Sequence, residues 1–206
     1  MVAVRIYVEG GGDNRATLTR CRQGFAEFFK KVLPAGKLPK VIACGPRTTA
    51  FDDFKSALAT FEDELIVLLV DAEAPVADGL SVWAHLKKRD NWDQPAGATD
   101  EQAHLMVQRM EAWFLADRDT LKRYYGQSFR ESALPDRKDV EKVAKVDLFK
   151  ALKATTKEAK TKAGYDDDTK ASHGFDLLGR IDPAKVRAAS PHAEQLMLVL
   201  SQHAAS

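Results

Sequence analysis

The chain has 206 residues, of which 45% are hydrophobic, enough for one α/β domain with a small helical addition. Its 31 Lys and Arg against 30 Asp and Glu leave a formal net charge of +1, so bulk charge favours neither nucleic acid, membrane nor acidic partners. No apolar run approaches the ~20 residues that span a bilayer. Cys21 and Cys44 lack the spacing of a zinc site or disulfide framework, and an immediate strand after Met1 leaves no room for a signal peptide, so a cytoplasmic protein is expected.

Residues 4–8 read as a strand that runs into Glu9 and the run Gly10-Gly11-Gly12. Asp13 or Asn14 then caps a helix with the stripe Leu18, Cys21, Phe25, Phe28 and Val32, closed by Pro34 and Gly36. Residues 40–44 form a second strand, ended by Gly45-Pro46. Thr48 or Thr49 caps the next helix, which carries Phe51, Phe54, Leu58 and Phe61. Residues 65–70, six apolar residues in succession, predict a strand covered on both faces, as in a parallel sheet built of βαβ crossovers.

Residues 74–101 break this rhythm and read as a long functional loop or a small sub-element, containing Lys87-Lys88-Arg89. A strand pattern returns at 104–108 and leads into a helix through Met110, Trp113, Phe114, Leu121 and Tyr124. Beyond about residue 130 the pattern is helical. Asp147 is the expected cap of a helix with Leu148, Phe149 and Leu152, whereas Asp182-Pro183 and Ser190-Pro191 pair a capping side chain with proline at the first helical position. Lys153 to Lys170, polar and lysine-rich, reads as mobile or solvated. The division expected is an α/β domain over 1–130 and a helical extension over 131–206, packed as one unit.

Ligands of open parallel sheets bind beyond the carboxyl ends of the strands. Glu9 follows the first strand and Asp71 the third, and Asp71 and Glu73, two apart, point the same way in extended backbone. Three carboxylates crowded at one edge repel, and a divalent cation relieves that repulsion; Mg²⁺ (or Mn²⁺) is held by a few carboxylates plus water and phosphate oxygens. Gly10, Gly11 and Gly12 permit a tight turn and close backbone approach to a phosphate, although the run is neither G-x-G-x-x-G nor a Walker A sequence. Asp13 either caps the helix or also orients water at a metal. Arg15 lies one turn from the glycines, and with Lys87 and Lys88 it is a candidate for contact with a nucleic-acid backbone. His104 reads as structural, and Met110, Trp113 and Phe114 as core.

Residues 6–13, Ile-Tyr-Val-Glu-Gly-Gly-Gly-Asp, resemble the first signature of the Toprim domain, which is shared by topoisomerases, bacterial primases, small ribosomal-RNA maturases and OLD-type nucleases. The resemblance implies that Glu9 is catalytic. Asp71-Ala72-Glu73 stands where that family has an Mg²⁺-binding D-x-D pair, with Glu in place of the second Asp. Nearly the whole chain is similar to an uncharacterised bacterial family of Toprim-like proteins, a domain of unknown function. The likeness runs through the V-E-G-G-G-D opening, the V-D-x-E strand end, the segment His104 to Asp117 and Ser190-Pro191-His192-Ala193. It implies a Toprim-like, Rossmann-like fold and a gene neighbourhood with an ATPase in mobile-element or phage-defence loci. OLD-type relatives use a further acid for a second ion; Glu111 is the candidate here, the alternative being a carboxylate that compensates a helix dipole.

Together these features predict a Mg²⁺-dependent nuclease acting on DNA or RNA, with Glu9, Asp71 and Glu73 as its catalytic residues, and with an ATPase as protein partner and room for a homodimer. The alternative is a non-catalytic or regulatory subunit docked on the ATPase.

Overall fold

Alternating side chains along two strands decide how the layers assemble. The computed structural model describes residues 3–205. Four strands, β1 (Val4–Glu9), β2 (Lys40–Gly45), β3 (Leu65–Asp71) and β4 (Ala103–Met106), form one sheet in the order β2-β1-β3-β4, with all pairings parallel. Leu65, Val67 and Leu69 of β3 enter one apolar cluster with Ile6 and Val8 of β1. Ile66, Leu68 and Val70 enter a second cluster with Tyr7. The unbroken apolar run of β3 is thus divided between two cores, as expected for a strand covered on both faces.

Helices α1 (Arg15–Phe29), α2 (Arg47–Leu58) and α3 (Val82–Asp90) make the three crossovers. α1 brings Cys21, Phe25, Phe28 and Phe29 to the first face, and α2 and α3 bring Phe51, Phe54, Trp83 and Leu86 to the second. This is a doubly wound, Rossmann-like α/β fold. The remaining helices are α4 (Ala112–Ala116), α5 (Arg118–Tyr125), α6 (Lys145–Thr156), α7 (Lys170–Leu178), α8 (Pro183–Ala189) and α9 (Pro191–Ala205). Their buried residues, among them Trp113, Leu152, Phe175 and Leu196, belong to the same cluster as α1. α7 crosses α1 at Gly24, where an added Cβ would stand 2.5 Å from the carbonyl oxygen of Phe175. Both cysteines are buried and free.

Several boundaries differ from the sequence expectation. Of the two cap candidates for α1 the structure uses Asn14 and not Asp13, the Asn14 Oδ1 accepting from Ala16 N at 2.8 Å. Pro46 and Ala144 occupy the cap positions of α2 and α6, so neither Thr48, Thr49 nor Asp147 caps; Asp147 sits within the first turn, where its charge still opposes the dipole. Of the two readings of 74–101 the structure has the sub-element, the crossover helix α3, and not an open loop: Ser81 caps α3 through Ala84 N at 3.2 Å, Trp83 packs beside Phe54, and Trp92 stacks on Phe51 with ring centroids 4.2 Å apart. The lysine-rich stretch 153–170 also differs. Its first residues complete α6, and Tyr165 within it is fully buried.

Candidate metal centre

The strand order reverses between β1 and β3, and at such a switch the loops diverge and leave a crevice. Glu9 is the last residue of β1 and Asp71 the last of β3. Glu73 does not continue the extended backbone, as two-residue spacing had suggested. The chain turns there with φ at +62°, while Ala72 N donates to Met106 O (2.9 Å) and Glu73 N donates to Gln108 O (2.7 Å). The turn still delivers the side chain: Glu9, Asp71 and Glu73 each offer a carboxylate oxygen, and these lie within 4.8 Å of one another.

A ring of cations faces the three acids. Arg47, the first residue of α2, donates from Nη1 to Glu9 Oε2 (2.9 Å) and to the carbonyl oxygen of Asp71, while Nε and Nη2 grip the two oxygens of Asp90 at 3.0 and 2.7 Å. Asp71 N also donates to Glu9 Oε2, at 3.1 Å. Asp71 Oδ1 accepts from Met110 N at 2.9 Å. Glu73 is held from the opposite side by Arg109 Nη2, at 2.8 and 3.1 Å to its two oxygens, and by the ammonium of Lys145.

These surroundings separate the three carboxyls. Burial pushes Asp71 well above the usual carboxylate range, and the charges of Glu111 and Glu9 add to the effect. Burial also raises Glu9, against the pull of Arg47. For Glu73 burial acts upward too, but hydrogen bonds from Lys145 and Arg109 outweigh it and hold the group below its ordinary value. Two carboxyls that resist ionisation beside a third that does not make a site short of positive charge at its centre.

The donor set fits a hard divalent cation. It consists only of carboxylate oxygens, and the hydrogen bonds described above fall on Oε2 of Glu9 and Oδ1 of Asp71, leaving the other oxygen of each for a ligand. Glu73 is already shared between two cations, so an ion at the centre competes with Lys145 for it.

Glu111 lies outside the set of three. It precedes α4, and its Oε1 accepts from the hydroxyl of Tyr165 at 3.0 Å, while its charge reaches Asp71. Gly10, Gly11 and Gly12 all have positive φ (138°, 89° and 54°), and Gly10 exchanges backbone hydrogen bonds with Gly45, so the glycines fix the turn out of β1 against the end of β2. Asp13, Arg15, Lys87 and Lys88 are exposed, and none hydrogen-bonds to the three acids; Lys87 pairs with Asp93 at 2.9 Å. His104 is buried against Glu101 O, and desolvation lowers it to about 4, a structural histidine as expected. In the helical tail, His173 hydrogen-bonds with Tyr125 and His192 with Glu141.

Sequence reasoning missed Arg47, Asp90, Arg109, Lys145 and Tyr165. Arg47 carried a usable signal, since it follows the end of a strand adjacent to β1. Arg109 lies inside the segment that was singled out. Lys145 carried none, because it meets Glu73 across 72 positions of sequence.

Searches among curated proteins and among solved structures return no match. A family model does match, over residues 8–201, from β1 into α9, and so takes in all three acids and the cations around them. The chain belongs to the family described as a domain of unknown function (DUF4276).

Proposed function

We propose that this protein is a divalent-cation-dependent phosphodiesterase acting on nucleic acid, related to the Toprim nucleases. The observation that carries the reading is the convergence of Glu9, Asp71 and Glu73, from two strand ends at the switch point, to within 4.8 Å. Asp71 and Glu73 would hold Mg²⁺ or Mn²⁺ beside Glu9. When bound, the cation supplies Lewis acidity toward a phosphoryl oxygen and offsets charge that builds up in the transition state. Glu9 is fixed through Oε2 by Arg47 and by Asp71 N, which orients Oε1 to take the proton from the attacking water. Its raised affinity for protons suits that role. Arg109 and Lys145, once shared with a phosphate, would neutralise its remaining oxygens. The phosphorus–oxygen bond to the leaving group then breaks, and its oxygen is protonated from solvent.

The test is cleavage of plasmid, single-stranded DNA and transfer RNA with Mg²⁺ or Mn²⁺. Activity lost in Glu9→Gln and Asp71→Asn supports the proposal; activity indifferent to both excludes these residues as the active site. A second reading is a regulatory subunit, in the cytoplasm and docked on an ATPase. One observation favours it: Glu73 is already neutralised from within by Arg109 and Lys145. No helix among the described residues is long and apolar enough to cross a membrane.

A further inference from the structure

A groove of about 360 Å³ opens beside the acidic cluster, lined on that side by Arg109 and Lys145, which hold Glu73, and by Glu111. Its floor is apolar: Val146, Leu148, Phe149 and Leu152 of α6. Its rim adds Lys150, Asp167 and Lys170, the last two paired with each other at 3.0 Å. Val146 is 61% exposed, the most exposed large hydrophobic side chain among the described residues. An uncovered aliphatic side chain at the mouth of a cluster of charges is an arrangement that water alone does not favour.

Two further observations define what would cover it. Arg109 and Lys145, which hold Glu73, also line the groove, with side chains 35% and 39% exposed. Lys150, one turn on, has no acidic partner within the described residues, in contrast to Lys170. The groove thus combines an apolar floor, the part-exposed cations Arg109 and Lys145 and the unpaired charge of Lys150. A nucleotide matches all three, with its base on the floor and its phosphates on the rim.

We propose that this groove holds one unpaired nucleotide next to the scissile phosphate, so that the protein acts on single-stranded nucleic acid. The inference rests on the phosphodiesterase reading and names its substrate class. A space of this volume accepts a single base and sugar, whereas a duplex would have to ride over the rim with its bases paired and stacked inward, away from Val146 and Phe149. Base stacking on such a floor is tolerant of sequence, so the preference is for strandedness more than for sequence.

The experiment measures fluorescence anisotropy of a labelled twelve-nucleotide strand and of the matching duplex, with full-length protein in EDTA, and compares wild type with Val146→Asp and Lys150→Glu. Both positions are at the surface, and circular dichroism melts of each variant check the fold. The expected result is at least tenfold preference for the single strand. Val146→Asp should lose about tenfold of that affinity, and Lys150→Glu a similar amount with a shallower dependence on salt. The Mn²⁺-induced rise in Tm, which belongs to the three acids, should persist in both variants. Equal or tighter binding of the duplex, no binding of either form, or a single-strand affinity untouched by both substitutions would overturn the proposal. Loss of the Mn²⁺ response in wild type, with single-strand binding intact, would instead count against the metal centre and leave the groove standing.

Discussion

Removing the charge of Asp71 should strengthen the fold in the absence of metal and abolish its response to metal. Asp71 has carboxylate neighbours in Glu9 and Glu73, with offered oxygens within 4.8 Å. Two unit charges at that distance repel by about 3.5 kcal/mol at an effective dielectric of about 20. Arg47 offsets much of the first interaction, and Arg109 and Lys145 much of the second, so about 1–2 kcal/mol of repulsion remains. Asn at position 71 keeps an oxygen for the Met110 N–H and loses only the charge assistance of that bond, about 1 kcal/mol. Asp71→Asn should therefore be between neutral and about 1 kcal/mol more stable in EDTA at pH 7.5, a rise in Tm of up to about 4 °C. The sign of the pH dependence follows. A carboxyl held above its unfolded value withdraws stability as pH rises, so the advantage of Asn should shrink toward zero as pH falls to the ordinary carboxylate range. Metal acts in the opposite direction. A cation at a hundred times its Kd adds about 2.7 kcal/mol to wild type, or about 5–10 °C, and should add nothing to the variant. Differential scanning calorimetry with EDTA, Mg²⁺ and Mn²⁺ measures both arms. A variant at least 1 kcal/mol less stable than wild type in EDTA, or an unchanged metal-induced shift, would refute the reasoning.

Lys145→Met should raise Mn²⁺ affinity about three- to tenfold, because it frees Glu73 from a competing cation, and isothermal titration calorimetry reads the change. Asp117 ties three helices together: only 2% exposed, it accepts from Thr120 N and Oγ1, Asp182 N and Lys185 Nζ. Burial alone would raise its pKa, but these donors outweigh it and lower it, so its stabilisation is complete above the unfolded value of about 3.9 and fades as pH falls through the lower folded value. Asp117→Asn should cost about 2–3 kcal/mol at pH 7 by urea titration, with the gap from wild type narrowing in acid. Gly24→Ala tests the contact between α1 and α7. Helix propensity favours Ala by about 1 kcal/mol, yet a Cβ 2.5 Å from Phe175 O forces the helices apart, so a net loss of about 2 kcal/mol is expected; a more stable variant would contradict it.

The parallel sheet was legible because its signal is local. Six apolar residues at 65–70 and helical stripes at 18–28 and 51–58 each declare their period within a dozen positions, and the structure has β3, α1 and α2 there. The meeting of Glu9 with Asp71 was legible for a related reason, since strand ends in a parallel sheet share one edge. Helix starts were less so. Thr48 and Thr49 resemble caps, but Pro46 has a fixed φ suited to the cap position and the helix begins one residue before them. Tertiary order in the stretch around Tyr165 escaped notice, because lysines dominate the composition while one aromatic ring anchors the backbone beneath Glu111. The cationic half of the site was least visible: Arg47, Arg109 and Lys145 come from three separate parts of the chain, and apart from the strand end that precedes Arg47 nothing in spacing distinguishes them from solvated surface.

The most direct test of the metal centre is anomalous scattering from crystals soaked in Mn²⁺. The account predicts a peak bonded to carboxylate oxygens of Asp71 and Glu73, with Glu9 bonded to the ion or to its hydration shell and the Lys145 ammonium drawn back from Glu73. A fully soaked crystal with no peak there, and with Lys145 and Arg109 still clasping Glu73, would contradict it.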